Sequence, residues 1–152
     1  MIDYMKNLFV GLLTGLAAYL NPISGDIKSL VALFFFNFLF GLAAGLLANN
    51  ESFSLKKAFR CIMEAMGCLL LVAAIYFIGD HKGNPDGALQ CVSFITYSIF
   101  YFYGVNILRN LKLMATSGTA FYKVVSFLYY VVSVEFIKHI PFLTNYQKEA
   151  TK

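Results

Sequence analysis

The residues able to do chemistry in this sequence are few and widely separated. His81 and His139 both lie in polar flanks, and nothing forms an HExxH, a Ser/His/Asp arrangement in usable register, or a glycine-rich phosphate loop after a strand. A hydrolase would have to assemble its site from residues that carry no recognisable pattern, so the chain reads as a non-enzyme with no cofactor. The cysteines Cys61, Cys68 and Cys91 are odd in number and lack CxxC spacing. Cys61 and Cys68 share a helix face, yet their apolar surroundings favour packing over a disulfide or a metal.

What remains is polar chemistry set into apolar runs. Asn37, Gly41, Gly45 and Ala48 recur at helical spacing, a small-residue seam that lets two backbones approach closely, with Asn37 free to hydrogen-bond across the contact. That contact lies either within one chain or between subunits. Thr96, Tyr103, Asn106 and Asn110 form a second line on one helix face, suited to an aqueous lumen or to interhelical hydrogen bonds. Tyr122, Ser126, Tyr129 and Ser133 repeat that pattern more weakly. Glu64 follows Arg60 by four residues and Lys57 by seven, which favours an interfacial ion pair of Arg60 with Glu64 over a proton relay.

The elements that must position these residues follow from composition. Of 152 residues, 59% are hydrophobic and 13% charged, against roughly 25% charged in a soluble domain. The runs 29–50 and 87–108 carry no charge and reach the roughly 20 residues that a helix needs to cross a bilayer. A third uncharged run, 65–79, is shorter and extends if Glu64 sits at headgroup depth. The sequence therefore predicts an all-α integral membrane protein, one membrane domain over residues 1–152, with three transmembrane helices at about 28–48, 57–79 and 87–110.

A short helix at 5–20 precedes them. Lys6 followed by LFVGLLTGLAAYL has the look of a secretory signal, but Asp3 offsets Lys6 and no A-x-A-like cleavage site follows, so the segment is expected to be retained. Ser52 or Ser54 is placed to cap the second long helix. GDHKGNPDG forms a tight turn after it. An amphipathic helix at about 119–138 closes the domain, lying in the interface or making a fourth span.

The net charge of +4 is spread over short loops, which suits lipid headgroups and not nucleic acid. Lys56, Lys57, Arg60, Arg109, Lys112 and Lys123 fall on one side of the expected membrane, and Lys6, Lys28 and Lys82 on the other. The richer side is expected in the cytoplasm, with the amino terminus outside.

Taken together, FNFLFGLAAG in the first span, the basic loop SFSLKKAFR and FITYSIFYFYGVNILRNLKLM in the third span resemble the phage-lysis and toxin-secretion holin family over about residues 25–135. Where that family carries an aspartate, an aromatic residue and a glycine in its first span, this chain has Asn37, Phe38 and Gly41. In the third span Asn106 takes the place of a serine and Asn110 that of an asparagine. Arg109 stands in place of a glutamate, Phe102 and Tyr103 in place of an asparagine-glutamate pair, and Ala115 in place of a glycine. The resemblance implies self-assembly as a homo-oligomer in the bacterial cytoplasmic membrane, permeabilising it to release an endolysin or a toxin. The alternative is a structural anchor subunit that binds other membrane subunits of a secretion or injection apparatus. A small transporter is disfavoured, since no inverted repeat is visible.

Overall fold

Proline, asparagine and glycine set most of the helix boundaries. In this computed structural model residues 2–49, 52–138, 140, 146, 148 and 149 are described. Helix α1 spans Ile2–Tyr19, and a short 3-10 turn at Asn21–Ile23, with Pro22 at its start, leads into α2, Ser24–Leu47. Helix α3 is Leu55–His81, α4 is Pro85–Met114 and α5 is Ala120–Tyr130. A π-helical turn at Val131–Glu135 and a last short helix, α6, Phe136–Lys138, follow.

Three of these helices are long and apolar enough to cross a membrane: Asn21–Leu47, counting its 3-10 turn, Leu55–His81 and Pro85–Met114. The all-α membrane fold expected from the sequence, with a short helix before the spans and a helical segment after them, is borne out. The helices run past most of the expected span limits. Helix α2 begins at Ser24 instead of about 28, and α4 extends to Met114 instead of 110. The difference is physical, since charged residues end an apolar run without ending the backbone hydrogen-bond ladder. The segment at 119–138 is not one continuous α-helix. Its Val131, Val132 and Val134 are β-branched, Ser133 Oγ donates to the Tyr129 carbonyl one turn back, and the Phe136 N–H bonds to the Val131 carbonyl in π register.

The chain divides into two compact units, Met1–Ala32 with Ile62–Ile99, and Leu33–Cys61 with Phe100–Lys152. In the first unit, Ile23, Leu30, Val72, Tyr76, Ala88 and Val92 are buried, together with Thr96. The positions 72 and 76, and 88, 92 and 96, follow a four-residue step, so each set lies along one face. Close approach of α3 and α4 depends on Gly79, where an added Cβ would lie 2.5 Å from that of Ala88.

The turn between these two helices is short. Gly83 takes φ 71°, the Asn84 N–H reaches the Gly79 carbonyl at 3.0 Å, and the Gly83 N–H reaches that of Asp80 at 2.9 Å. Asn84 then caps α4 by accepting from the Gly87 N–H at 3.1 Å, with Pro85 in the first helical position.

Helix α1 is exposed from Asp3 to Ala18. Its last residue is the anchored one. Tyr19 Oη donates to Asp80 Oδ2 at 3.0 Å, and its ring meets those of Tyr76 at 5.6 Å and Phe77 at 6.2 Å. His81 Nδ1 lies 2.8 Å from the Phe77 carbonyl, an acceptor, so this nitrogen carries the ring proton there. Burial first, and then the Asp80 carboxylate, hold the Tyr19 phenol above its ordinary range.

In the second unit Leu33, Phe34, Asn37 and Ala44 of α2 are buried along one stripe, as are Asn110 of α4 and Val125 of α5. Helix α3 begins at a cap in which Ser54 Oγ accepts from the Lys57 N–H at 3.5 Å, and Thr119 caps α5 through the Tyr122 N–H at 3.1 Å. Lys112 lies 5.4 Å from the centre of the Tyr129 ring, and Tyr101 packs on Phe136 with ring centres 5.9 Å apart.

Candidate functional site

The second unit brings Asn37 of α2 together with Asn106, Arg109 and Asn110 of α4. Asn37 is 8% exposed on α2, and its Oδ1 accepts from Asn106 Nδ2 at 2.7 Å. Asn106 Oδ1 in turn accepts from Arg109 Nη2 at 2.7 Å. The side chains form a directed chain from Arg109 through Asn106 to Asn37, in which a cation polarises two amides in series. One α-helical turn beyond Asn37, Gly41 leaves room for Asn110, whose Nδ2 would be 3.5 Å from an added Cβ. On the other side of the amides Tyr103 meets Phe34 edge to face, ring centres 4.9 Å apart at 81°.

Asn110 is 7% exposed and has no side-chain hydrogen bond among the described residues. It borders a cavity of about 550 Å³ that is also lined by Lys57, Arg60, Arg109, Asn49 and Asn106. A second cavity, of about 190 Å³, opens from the same Gly41, Gly45, Lys57 and Asn106 and is lined mainly by apolar side chains, Phe38, Leu42 and Leu46 among them. The arrangement offers cations and amides, which bind anions or water. It offers no nucleophile activated by a base. Among the described residues no group of three His, Cys, Asp or Glu is placed to hold a metal ion.

The two polar lines read from the sequence thus meet within one chain in part. Asn37 and Gly41 lie against Asn106 and Asn110, while Gly45 is half-buried and borders both cavities. Ala48 lies just past the end of α2 and is exposed, and Ala44 occupies the buried position that the four-residue step passed over. Thr96 belongs to the first unit, where it is 4% exposed and its hydroxyl has no partner among the described residues. Ser98 shows the usual alternative, donating to the Phe94 carbonyl at 2.8 Å.

Arg60 and Glu64 are both exposed, one turn apart on α3. Cys61 and Cys68 are half-buried on α3, and Cys91 is exposed on α4. Of the weaker line, Tyr122, Ser126, Tyr129 and Ser133 are all half-buried, and the Ser126 hydroxyl has no partner among the described residues. His139 lies outside the described residues.

Sequence reasoning did not pick out Arg109 as a partner of Asn106, although their i,i+3 spacing was a usable signal. The contact of Tyr19 with Asp80 had none, because the two are joined only by the fold.

Three helices long and apolar enough to cross a membrane define a multi-pass helical membrane protein in contact with the lipid bilayer. Residues 14–128 match the model of the Bacteriophage holin family, and the chain belongs to that family. The family is not an enzyme family. No curated protein and no solved structure matches the chain.

Proposed function

We propose that the protein is a working holin: it accumulates in the bacterial cytoplasmic membrane, self-assembles, and permeabilises that membrane to release an endolysin or a toxin. The observation that carries the reading is the hydrogen-bonded run of Asn37, Asn106 and Arg109 side chains between two long apolar helices in a member of the holin family. In a single chain these groups satisfy one another, so the protein inserts without opening a path for ions. Separating α2 from α4 frees Asn37 and Asn106 and uncovers Asn110, and a polar face in lipid is costly unless it meets water or protein. Several copies bringing those faces together, with Tyr103 beside them, supply both. Opening is then a threshold event, harmless below a critical density and abrupt above it. Thr96 adds to the wetted line, since water supplies the partner that its hydroxyl lacks.

The test is induced expression in a bacterium together with a peptidoglycan hydrolase that has no export signal of its own. The expected result is a delay, then a sudden loss of membrane potential and lysis. Asn106→Leu with Asn110→Leu is expected to insert normally and to delay or abolish the collapse. Wild-type protein that accumulates for many generations without depolarising cells or releasing the hydrolase removes the holin reading, and an anchor subunit of an envelope complex takes its place.

A further inference from the structure

The two cavities of the second unit adjoin at Gly41, Gly45, Lys57 and Asn106, which line both, and are unlike in character, so we treat them as two arms of one site. One arm carries Lys57, Arg60 and Arg109 with no acidic side chain in its lining, and the other is faced by Phe38, Leu42 and Leu46. Three cations border this volume, with Glu64 one turn from Arg60 but outside the lining, and the balance of charge favours an anion. Arg109 spends one donor on Asn106 and keeps the rest of its guanidinium fork, whose geometry matches two phosphate oxygens.

Asn110 supplies an independent sign of a ligand. It is more than nine-tenths buried, has no partner among the described residues, and borders the charged arm. Its amide opens on the charged arm, where it can donate to an anion. The space also lies where α2 ends at Leu47 and α3 begins at Leu55, the depth at which a bilayer carries its headgroups.

We infer that this space binds an anionic phospholipid, its phosphate held by Lys57, Arg60 and Arg109 with Asn110 as an amide donor, and the start of an acyl chain in the arm lined by Phe38, Leu42 and Leu46. A soluble phosphate ester shares the headgroup chemistry but has nothing to place in the apolar arm, which is why the lipid is the occupant. Such a lipid binds a cationic pocket that the closed chain already has, so lipid binding and lysis fail separately.

The experiment uses the full chain in neutral detergent, with native mass spectrometry against dioleoylphosphatidylglycerol, dioleoylphosphatidylcholine and inorganic phosphate. Retention of phosphatidylglycerol is expected to exceed that of phosphatidylcholine by about a hundredfold, falling about fivefold for each cation removed. Lys57→Gln, Arg60→Gln and Arg109→Gln combined should bring it to the phosphatidylcholine level. The exchange variant Lys57→Arg, Arg60→Lys, Arg109→Lys should keep most of it, as should the charge-matched control Lys6→Gln, Lys28→Gln, Lys82→Gln.

Should the glutamine variant fail to fold, the wild type answers the same question. Cys61 borders the apolar arm, so phosphatidylglycerol must slow its alkylation, and phosphatidylcholine must not. Equal retention of the two lipids, equal loss in the control variant, displacement by inorganic phosphate in simple competition, or an unprotected Cys61 each overturns the inference.

Discussion

Asn106 is the side chain on which the polar seam turns, because its one amide both donates to Asn37 and accepts from Arg109. Interhelical hydrogen bonds in membrane proteins contribute about 0.6 kcal/mol on average and up to about 1.7 kcal/mol. The Asn37–Asn106 pair, short and charge-assisted through Arg109, belongs toward the upper part of that range. A double-mutant cycle of Asn37→Leu and Asn106→Leu, read by reversible denaturation in mixed micelles, is expected to give a coupling of about 1 kcal/mol. A coupling near zero would mean that the two amides do not meet in the folded protein. Asn37→Asp is expected to keep the pairing, since the acceptor oxygen survives and Arg109 stands behind Asn106, whereas Asn37→Leu loses it. The amides themselves were legible in the sequence, since a polar residue in an uncharged run stands out at once. Their pairing was not, because either polar line could equally have faced a neighbouring subunit, and only the fold brings Asn37 to Asn106. Thr96 shows the limit in the other direction. Its helical spacing places it on the line of Asn106 and Asn110, but it is buried in the first unit without a partner among the described residues, at a typical cost of about 1–3 kcal/mol.

Among the elements, α3 and α4 depend on a glycine that the sequence gives no reason to single out. Gly79 lies at the end of an apolar run, where it reads as a helix terminator. In the fold it is the point where the two backbones come closest, with Ala88 opposite. Gly67, on the same helix, has nothing within 4 Å of an added Cβ. The two glycines should therefore respond oppositely to one methyl group. Gly79→Ala must push α3 from α4, a strain of about 1–3 kcal/mol, and Gly67→Ala gains up to about 1 kcal/mol of helix propensity. Thermal unfolding in detergent is expected to show a lowered midpoint for the first and an unchanged or raised one for the second. Equal midpoints would mean that α3 and α4 do not meet at Gly79. The helix ends were legible where capping chemistry was present, at Ser54 and in the GDHKGNPDG turn. Charge marks where an apolar run stops and not where the helix does, as at Ser24 and Met114. The break of the last helix at Val131–Glu135 had a sequence signal, its run of β-branched residues, that periodicity alone does not weigh.

At the scale of the molecule, the amount of span surface that one chain covers decides what surrounds it. Only 11% of the most apolar stretch of α3, and the same share of α4, is buried within the chain, against 28% for the span containing α2. The remainder faces lipid or further copies, which fits a protein that inserts as single chains and later assembles. Such a chain enters the membrane in the orientation that keeps most of its basic residues in the cytoplasm. The segment between α2 and α3 carries Lys56, Lys57 and Arg60 at the start of α3, and the stretch from the end of α4 into α5 carries Arg109, Lys112 and Lys123. The turn between α3 and α4 has Lys82 alone beside Asp80 and Asp86. Three spans are then expected to place the α2–α3 segment and the segment after α4 inside, with the α3–α4 turn and α1 outside. Single cysteines at positions 57 and 82, in a chain lacking the native three, test this with an impermeant thiol reagent on intact spheroplasts. Position 82 is expected to label at once, and position 57 only after the membrane is opened. Labelling of position 57 in sealed cells would invert the topology and move the cationic pocket to the outer leaflet. The anionic lipid it selects would then have to come from that side.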